Sequence, residues 1–216
     1  MKNVPHYYQQ RREEVTCGLP VTYRRVLEIG CGEGFFRENL KADCEYWGVE
    51  YSSTAAESAK NRLSNVLIGT YAECQDNIPD KYFDLIICND VIEHMPDHME
   101  FLHQIKSKIA PGGVIMGSIP NIRHYSILYE LIVKKEWQYR PNGILDETHL
   151  RFFTKKSLIR TLIEADYTID FLAGINFNKP NTTPTPKYAK RIIRLLAGKE
   201  SRYIQFCFRA HPNGNE

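Results

Sequence analysis

The chain has 216 residues, of which 43% are hydrophobic and 25% charged, and its formal net charge at pH 7 is +2. This composition predicts one globular domain over residues 1–216 and gives no support for a polyanionic partner. No stretch approaches the ~20 apolar residues that a membrane span needs, and the N-terminus lacks a signal-peptide core. The six cysteines show no C-x-x-C spacing, which favours reduced thiols and a cytoplasmic location over a disulfide framework or a zinc site.

The N-terminal segment, residues 1–20, predicts a short polar helix that ends near Gly18 and Pro20. It begins with two adjacent tyrosines, Tyr7 and Tyr8. They could form a lid over a ligand site or pack on the outer helices.

The segment from Val26 to Gly34 is an apolar run that ends in three glycines at alternate positions. It predicts a buried strand that enters a tight turn, the place where doubly wound α/β folds bind nucleotide-like ligands. The dinucleotide fingerprint would need a glycine at position 35, where the chain has Phe35, so NAD and FAD are disfavoured. Glu50 follows the next apolar segment, where a carboxylate can accept hydrogen bonds from both hydroxyls of a ribose.

Strand-like and helix-like patterns then alternate with no internal repeat, which favours a mostly parallel sheet. We predict a Rossmann-like α/β fold with a seven-stranded, mostly parallel sheet, helices on both faces, and a substrate-side insertion over residues 121–152 after the fifth strand. Ser52 or Ser53, Asp97 and Thr154 are predicted helix caps. The predicted strands after the second are 65–69, 82–88, 114–119, 167–175 and 203–208, and the predicted helices include 35–41, 54–62, 125–135 and 188–196.

The pattern Glu-x-Gly-x-Gly-x-Gly, with Glu50 downstream, resembles the first motif of class I S-adenosylmethionine-dependent methyltransferases. In that family the glycine turn lies against the methionine part of the cofactor and the second-strand acid holds its ribose. The resemblance implies a cofactor site built from Glu28, Gly30, Cys31, Gly32, Gly34, Glu50, Tyr51, Tyr71, Ala72, Asn89 and Asp90.

A second polar cluster, Asp90, Glu93 and His94, follows the central strand. If Asp90 opens a helical turn, the three side chains can converge, and two carboxylates with an imidazole suit Mg²⁺ or Mn²⁺. Glu93 and His94 could instead cap the following helix and position the cofactor.

The cluster resembles the E-x-x-E-H motif of metal-dependent sugar-hydroxyl and quinone O-methyltransferases. The segment around His149 is similar to the downstream histidine motif of small-RNA 3′-terminal 2′-O-methyltransferases. The resemblance implies that Asp90, Glu93, His94 and His149 hold a metal ion and, through it, two vicinal hydroxyls of the acceptor. An unligated His149 or His94 could instead act as the general base.

The segments from Tyr7 to Thr154 together resemble bacterial methyltransferases associated with surface-polysaccharide pathways. We therefore expect methyl transfer to a hydroxyl oxygen, in first place on a sugar or glycan intermediate. An RNA 3′-terminal ribose or a quinone-type ring is the alternative acceptor, and a cofactor-binding sensor or partner subunit is the non-enzymatic alternative. The candidate acceptor-binding residues are Tyr7, Tyr8, Arg123, His124, Tyr125 and Arg151.

The basic segment Tyr188 to Leu196 interleaves cations with aliphatic residues. It suggests contact with nucleic acid or with an anionic membrane. The simpler interpretation, which the sequence favours, is a solvated outer helix whose basic side chains cover the sheet. The near-neutral charge disfavours nucleic acid.

Overall fold

The computed structural model describes residues 9–177 and 185–214. Its seven strands form one sheet in the order β3-β2-β1-β4-β5-β7-β6. All pairs from β3 to β5 are parallel, and β7 runs antiparallel to both β5 and β6. The predicted fold class is confirmed. The strands are β1 (Arg25–Ile29), β2 (Glu45–Glu50), β3 (Asn65–Ile68), β4 (Phe83–Asn89), β5 (Ile109–Pro120), β6 (Tyr167–Phe177) and β7 (Tyr203–Pro212).

The helices that flank the sheet begin at the predicted caps. Ser52 and Asp97 accept hydrogen bonds from backbone amides three residues on, and Thr154 forms a reciprocal capping box with Ser157. The α-helices are α1 (Ser53–Ala59), α2 (Tyr71–Cys74), α3 (His98–Ile105), α4 (Tyr125–Tyr129), α5 (Lys155–Glu164) and α6 (Lys187–Ala197). Short 3₁₀ turns cover Glu13–Gly18, Phe35–Asn39, Gln75–Asn77, Ile92–His94, Lys106–Lys108 and Lys199–Arg202.

Two predicted helices are shorter or less regular than expected. The first crossover, predicted over 35–41, is the 3₁₀ turn Phe35–Asn39. The inserted helix, predicted over 125–135, consists of α4 and a π-helical turn, Glu130–Lys134, which ends at Lys135 with φ 57°. Among the described residues, no helix has both the length and the apolar character needed to cross a membrane.

The core lies on both faces of the sheet. Leu27 and Ile86 belong to a cluster on one face, whereas Val26, Leu85 and Ile87 belong to a cluster on the other. Burial of both faces of a parallel strand explains why β1 and β4 read as continuous apolar runs. A smaller cluster of Ile127, Ile144 and Leu145 lies under the insertion.

Strand β5 starts five residues earlier than predicted. Phe83 pairs with Ile109 and Leu85 with Val114, so residues 110–113 bulge out of the ladder. The Pro111-Gly112-Gly113 sequence therefore belongs to this bulge and does not end α3, because α3 already ends at Ile105.

Candidate active site

The turn after β1 has the geometry that its glycines predict. Gly30, Gly32 and Gly34 have φ values of 71°, 54° and 80°. A Cβ atom on Gly30 would lie 3.0 Å from a methyl group of Val91. Because L side chains rarely adopt this conformation and the neighbour is close, the turn depends on residues without Cβ. It forms a backbone cradle at the carboxyl edge of the sheet.

Glu50 lies at the end of β2 beside this cradle and is 3% exposed. One carboxylate oxygen accepts a hydrogen bond from the Gly32 amide at 2.9 Å, and the other accepts one from the Ser52 amide at 2.9 Å. Burial raises the pKa of Glu50, and these backbone bonds oppose that rise. Each oxygen keeps a further lone pair for a hydroxyl donor, so the carboxylate is oriented for a ribose.

Two more polar side chains border the crevice. Glu28 is buried on β1, accepts a hydrogen bond from the Tyr46 hydroxyl, and has its pKa raised by burial to about 7. Asn89 ends β4, and its side-chain amide lies beside the Glu28 carboxyl group. An oriented acid, a glycine cradle and a polar strand end together fit S-adenosylmethionine.

The remaining predicted cofactor residues have different environments. Cys31 is buried, and Tyr51, which follows Glu50, is 69% exposed. The prediction for Tyr71 is corrected, because its ring lies in the core and packs edge-on against Phe101 at 5.1 Å. Its neighbour Ala72 is exposed on α2.

Asp90 does not join the predicted metal cluster. Its carboxylate binds the Arg12 guanidinium at 2.8 Å, the Gln205 amide at 2.7 Å and the Ser118 hydroxyl at 2.7 Å. Its backbone, with φ 53°, turns the chain out of β4. These three donors occupy the carboxylate, so the expectation of Asp90 as a metal ligand is corrected to a role in joining the N-terminal segment to β5 and β7.

The described part of the N-terminal segment crosses the edge of the cofactor crevice. Gln9 lies 3.3 Å from the Glu33 carboxylate, Arg11 pairs with Glu38 at 3.0 Å, and Arg12 reaches Asp90. The lid prediction for Tyr7 and Tyr8 falls on positions outside the described residues.

The other three predicted metal ligands are brought together. One ligand atom from each of Glu93, His94 and His149 lies within 4.8 Å of the other two. The imidazole rings of His94 and His149 are 4.7 Å apart between centroids, and Nε2 of His149 lies 3.9 Å from a Glu93 carboxylate oxygen. Glu93 is 1% exposed, and neither of its carboxylate oxygens has a hydrogen-bond partner among residues 9–177 and 185–214.

The hydrogen bonds of the two histidines define which nitrogen is free. Nδ1 of His94 lies 3.2 Å from the Thr148 carbonyl oxygen, and Nδ1 of His149 lies 3.1 Å from the Ile144 carbonyl oxygen. Because a carbonyl oxygen only accepts, these contacts favour the tautomer in which Nδ1 carries the proton and Nε2 presents a lone pair. Histidines that bind metals are held in this way by their second nitrogen.

Burial also controls the charges of this cluster, which we call the Glu93–His94–His149 trio. Burial, followed by the nearby Asp90, raises the pKa of Glu93 well above its ordinary value. Burial, followed by repulsion from His94, lowers the pKa of His149. The trio places two imidazole nitrogens and a buried carboxyl group within 4.8 Å of one another, an arrangement that suits a divalent cation.

A local turn in the insertion presents His149. The Asp146 carboxylate accepts hydrogen bonds from the Thr148 amide at 2.8 Å and from the Thr148 hydroxyl at 2.6 Å. The Leu150 amide donates to the Glu93 carbonyl oxygen at 3.0 Å. The insertion is thus tied to the turn that carries Glu93, which explains how residues 55 positions apart meet. The Asp-x-Thr spacing is a turn signal that the sequence interpretation missed.

Four predicted acceptor-binding residues have structural partners. Arg151 donates to the carbonyl oxygens of Met95 and Pro96, and Arg123 donates to the Ala197 carbonyl oxygen at 3.0 Å. His124 is fully buried and pairs with the Ser126 hydroxyl at 2.8 Å, and Tyr125 is 5% exposed. These contacts hold the insertion and α6 in place, and the acceptor-binding role of the four residues stays a prediction.

A cluster of aromatic rings lies on one side of His149 and contacts it through Phe152. Phe152 lies 6.2 Å from His149, 5.3 Å from Trp137 and 6.2 Å from Tyr139 between ring centroids. Trp137 and Phe152 pack on the small core under the insertion. The three rings form one aromatic wall, and Phe152 is the part of it that lies beside the trio.

Comparisons with known proteins agree with this geometry. A family model described as a methyltransferase domain matches residues 3–170. The chain is 30% identical over 162 residues to a ubiquinone biosynthesis O-methyltransferase of Coxiella burnetii, which covers 72% of this chain and 68% of that protein. It is 25% identical over 169 residues to the enzyme of the same name from Vibrio vulnificus, with 74% and 70% covered. The chain thus spans about two thirds of the length of the curated relatives it matches.

Solved structures share the fold. A SAM-dependent methyltransferase from Thermotoga maritima superposes with a TM-score of 0.63 at 23% identity and covers 94% of this chain and 88% of its own. One from Archaeoglobus fulgidus has a TM-score of 0.58 at 24% identity, with 87% and 85% covered.

Proposed function

Because the chain belongs to the methyltransferase-domain family and is an S-adenosylmethionine-dependent methyltransferase, we propose that it methylates one of two adjacent hydroxyl oxygens on a quinone-type ring. Relatives named ubiquinone biosynthesis O-methyltransferases support an oxygen acceptor of this type. The observation that carries the proposal is the Glu93–His94–His149 trio, in which one ligand atom from each residue lies within 4.8 Å of the other two.

A divalent ion is the ligand that we propose for the trio. Two imidazoles and one carboxylate favour Mn²⁺, Fe²⁺ or Zn²⁺ over Mg²⁺, since the oxygen ligand expected from Asp90 is engaged elsewhere. An ion held by three protein groups keeps coordination positions open for acceptor oxygens, and there it would lower the pKa of a bound hydroxyl.

The reaction requires the acceptor oxygen, the methyl carbon and the cofactor sulfur to align. S-adenosylmethionine supplies an activated methyl sulfonium. Glu50 and the glycine cradle hold the donor, whereas the trio and the ring of Phe152 orient the acceptor. Such orientation can contribute ~7–11 kcal/mol to a reaction barrier. His149, which is neutral because its pKa is lowered, has an Nε2 lone pair that can accept the hydroxyl proton if no metal binds.

The sugar or glycan acceptor, our first expectation from sequence, finds no support in the names of the relatives and stays a prediction. A sugar diol presents two adjacent hydroxyls as a catechol does. The aromatic wall of Trp137, Tyr139 and Phe152 favours a planar ring that can pack against it, although sugars also pack on aromatic faces. The choice is therefore left to the assay.

The metal is tested by titrating Mn²⁺ into metal-free protein by calorimetry. We expect 1:1 binding that Glu93→Gln and His149→Ala each reduce at least about tenfold, as is typical for loss of a ligand group. His103→Ala, at an exposed histidine on α3, is the matched control and should bind normally. Binding that survives both trio variants would reject the metal site.

The acceptor is tested by transfer of labelled methyl from S-adenosylmethionine to a catechol, a glycoside diol or an RNA 3′ end. We expect methylation of the catechol, and His149→Ala should lower its rate by about 10²–10⁴, the range for loss of a positioned acid–base group. Turnover of the glycoside or RNA alone would overturn the quinone-type assignment. A sensor would bind the cofactor and methylate none of the three.

A further inference from the structure

Helix α6 directs large apolar side chains away from the protein. Ala189 and Ile193 are its buried residues. Tyr188, Ile192, Leu195 and Leu196 are 71%, 55%, 83% and 81% exposed. The interpretation of α6 as an ordinary outer helix does not account for these four exposed side chains, because only Ala189 and Ile193 are buried against the protein.

The same helix and the turn after it concentrate positive charge. The segment 187–202 has six of the 28 basic residues of the chain and one of its 26 acidic residues. Outside this segment acidic residues outnumber basic ones, 25 to 22. A groove of about 690 Å³ runs along the segment and is lined by Lys187, Lys190, Arg191, Arg194, Lys199 and Arg202.

A second exposed apolar and basic segment lies in the insertion, after the helix that packs against α6. Helix α4 packs against α6, and Lys190 and Arg194 lie over the Tyr125 ring at 4.4 and 4.8 Å. The turn after α4 exposes three more aliphatic residues, between 47% and 64%, and two lysines follow it. These residues are Leu131, Ile132, Val133, Lys134 and Lys135.

We propose that α6 and the adjoining turn form a docking surface for a bilayer of anionic phospholipids. A helix that lies in the membrane interface combines an outward apolar stripe with flanking lysines and arginines. The phosphates of the headgroups match the basic groove, and the acyl region accepts Leu195 and Leu196. The proposal does not rest on the acceptor assignment.

The chemistry of the surface disfavours other occupants. RNA would satisfy the cations, but it gives no apolar environment to aliphatic side chains, and this surface lacks a row of aromatic platforms for bases. A second copy of the chain would bring an equally positive surface against it, and like charges oppose that contact. An anionic bilayer offers phosphates that pair with the basic side chains and an apolar region that can bury the leucines.

The test is co-sedimentation of the full chain with phosphatidylcholine vesicles, with and without phosphatidylglycerol. We expect binding only to the anionic vesicles and a loss of that binding in high salt. Each basic group near such a surface contributes about fivefold to partitioning, so Lys187→Glu with Arg191→Glu should lower binding at least about 25-fold. Leu195→Ser with Leu196→Ser should lower binding while preserving the charge.

Matched controls lie on α5. Lys156 and Arg160 are exposed at the same i,i+4 spacing as Lys187 and Arg191, and Ile163 is 61% exposed. Charge reversal at that pair, or Ile163→Ser, should leave vesicle binding unchanged. S-adenosylhomocysteine binding verifies that each variant is folded.

Three results would overturn the proposal. They are equal binding to neutral and anionic vesicles, equal losses in the α5 controls, or retention of vesicle binding by both α6 variants. Binding of a labelled RNA with the same affinity and the same dependence on α6 would assign the surface to nucleic acid instead. Competition by inorganic phosphate alone, with no contribution from the leucines, would reduce the surface to an anion-binding groove.

Discussion

The cofactor side and the acceptor side of the crevice are built differently. On the cofactor side, the glycine turn and Glu50 follow β1 and β2 directly, and backbone amides orient the carboxylate. On the acceptor side, His94 and His149 are 55 positions apart, and the hydrogen bond from the Leu150 amide to the Glu93 carbonyl oxygen joins their segments. The cofactor side therefore depends on local backbone geometry, and the acceptor side depends on how the insertion packs.

This difference implies that mutations can separate the two functions. A change on the cofactor side should abolish donor binding whatever the acceptor. A change in the trio should leave donor binding intact, since its contacts are with the insertion.

The largest effect is expected at Glu50. Glu50→Ala removes both acceptors for the ribose hydroxyls and the anchor of the Gly32 amide. We expect at least a 100-fold loss of S-adenosylhomocysteine affinity by calorimetry, about 2.7 kcal/mol. Unchanged affinity would contradict the assignment of Glu50 to the ribose.

Two controls sharpen this test. Glu45→Gln changes the same residue type at the opposite end of β2, where Glu45 binds Trp47 and Tyr82, and donor affinity should be unchanged. His149→Ala should also bind S-adenosylhomocysteine normally. A parallel loss in His149→Ala would show that the two sides are coupled.

The second effect concerns pH, because a buried histidine and a buried glutamate change the free energy of unfolding in opposite directions as the pH rises. Burial lowers the pKa of His124 on the acceptor side to about 4, so the unfolded chain takes up a proton before the folded one does and stability falls as the pH drops below about 7. Burial raises the pKa of Glu28 on the cofactor side to about 7, so the folded state keeps a proton longer and stability falls as the pH rises from about 4.5 to 7.

Urea unfolding between pH 5 and 7 measures the contributions of His124 and Glu28 to the free energy of unfolding. Each is about 2 kcal/mol over that interval, since one unit of pKa shift corresponds to about 1.4 kcal/mol. His124→Asn removes a contribution that rises with pH, so its free energy of unfolding should fall more steeply with rising pH than that of the native chain. Glu28→Gln removes a contribution that falls with pH, so its free energy of unfolding should fall less steeply. Parallel profiles for the two variants would refute the opposite signs.

The smallest effect is expected at the cap of α5. Thr154→Ala removes one half of the capping box with Ser157 and should cost about 1 kcal/mol of folding free energy, the usual value of an N-cap. Thr154→Ser should retain most of that stability. Donor affinity should not change in either variant, because α5 lies outside the cofactor side, and a change there would show that the insertion transmits strain to β1.

The sequence predicted the sheet, three caps and the position of Glu50 at the end of β2 because these features have local causes. Periodicity marks a buried strand, a hydroxyl or carboxylate marks a cap, and a glycine marks a left-handed turn. The same reasoning overestimated the helix over 125–135, because it did not register the π-helical turn at Glu130–Lys134. It also assigned Tyr71 to the adenine, although the ring packs on Phe101.

The arrangement of the acceptor side could not be predicted from local sequence patterns. Asp90 is adjacent in sequence to the trio, and spacing alone places it among the ligands. Arg12, Ser118 and Gln205 come from three distant elements and occupy its carboxylate. Local spacing contains no information about such partners.

The order of residues from Val26 to Glu50 is enough to predict a ligand turn and a strand-end carboxylate, because both are short-range features, and the resemblance of this pattern to the class I motif implies the methyl donor. The packed fold decided the rest: which ligands form the trio, which polar residues hold the insertion, and which face of α6 stays uncovered. These outcomes depend on contacts between residues that are distant in sequence. Such contacts engage some polar groups, such as Asp90, and bury others, such as the Glu93 carboxyl group, without a hydrogen-bond partner among the described residues.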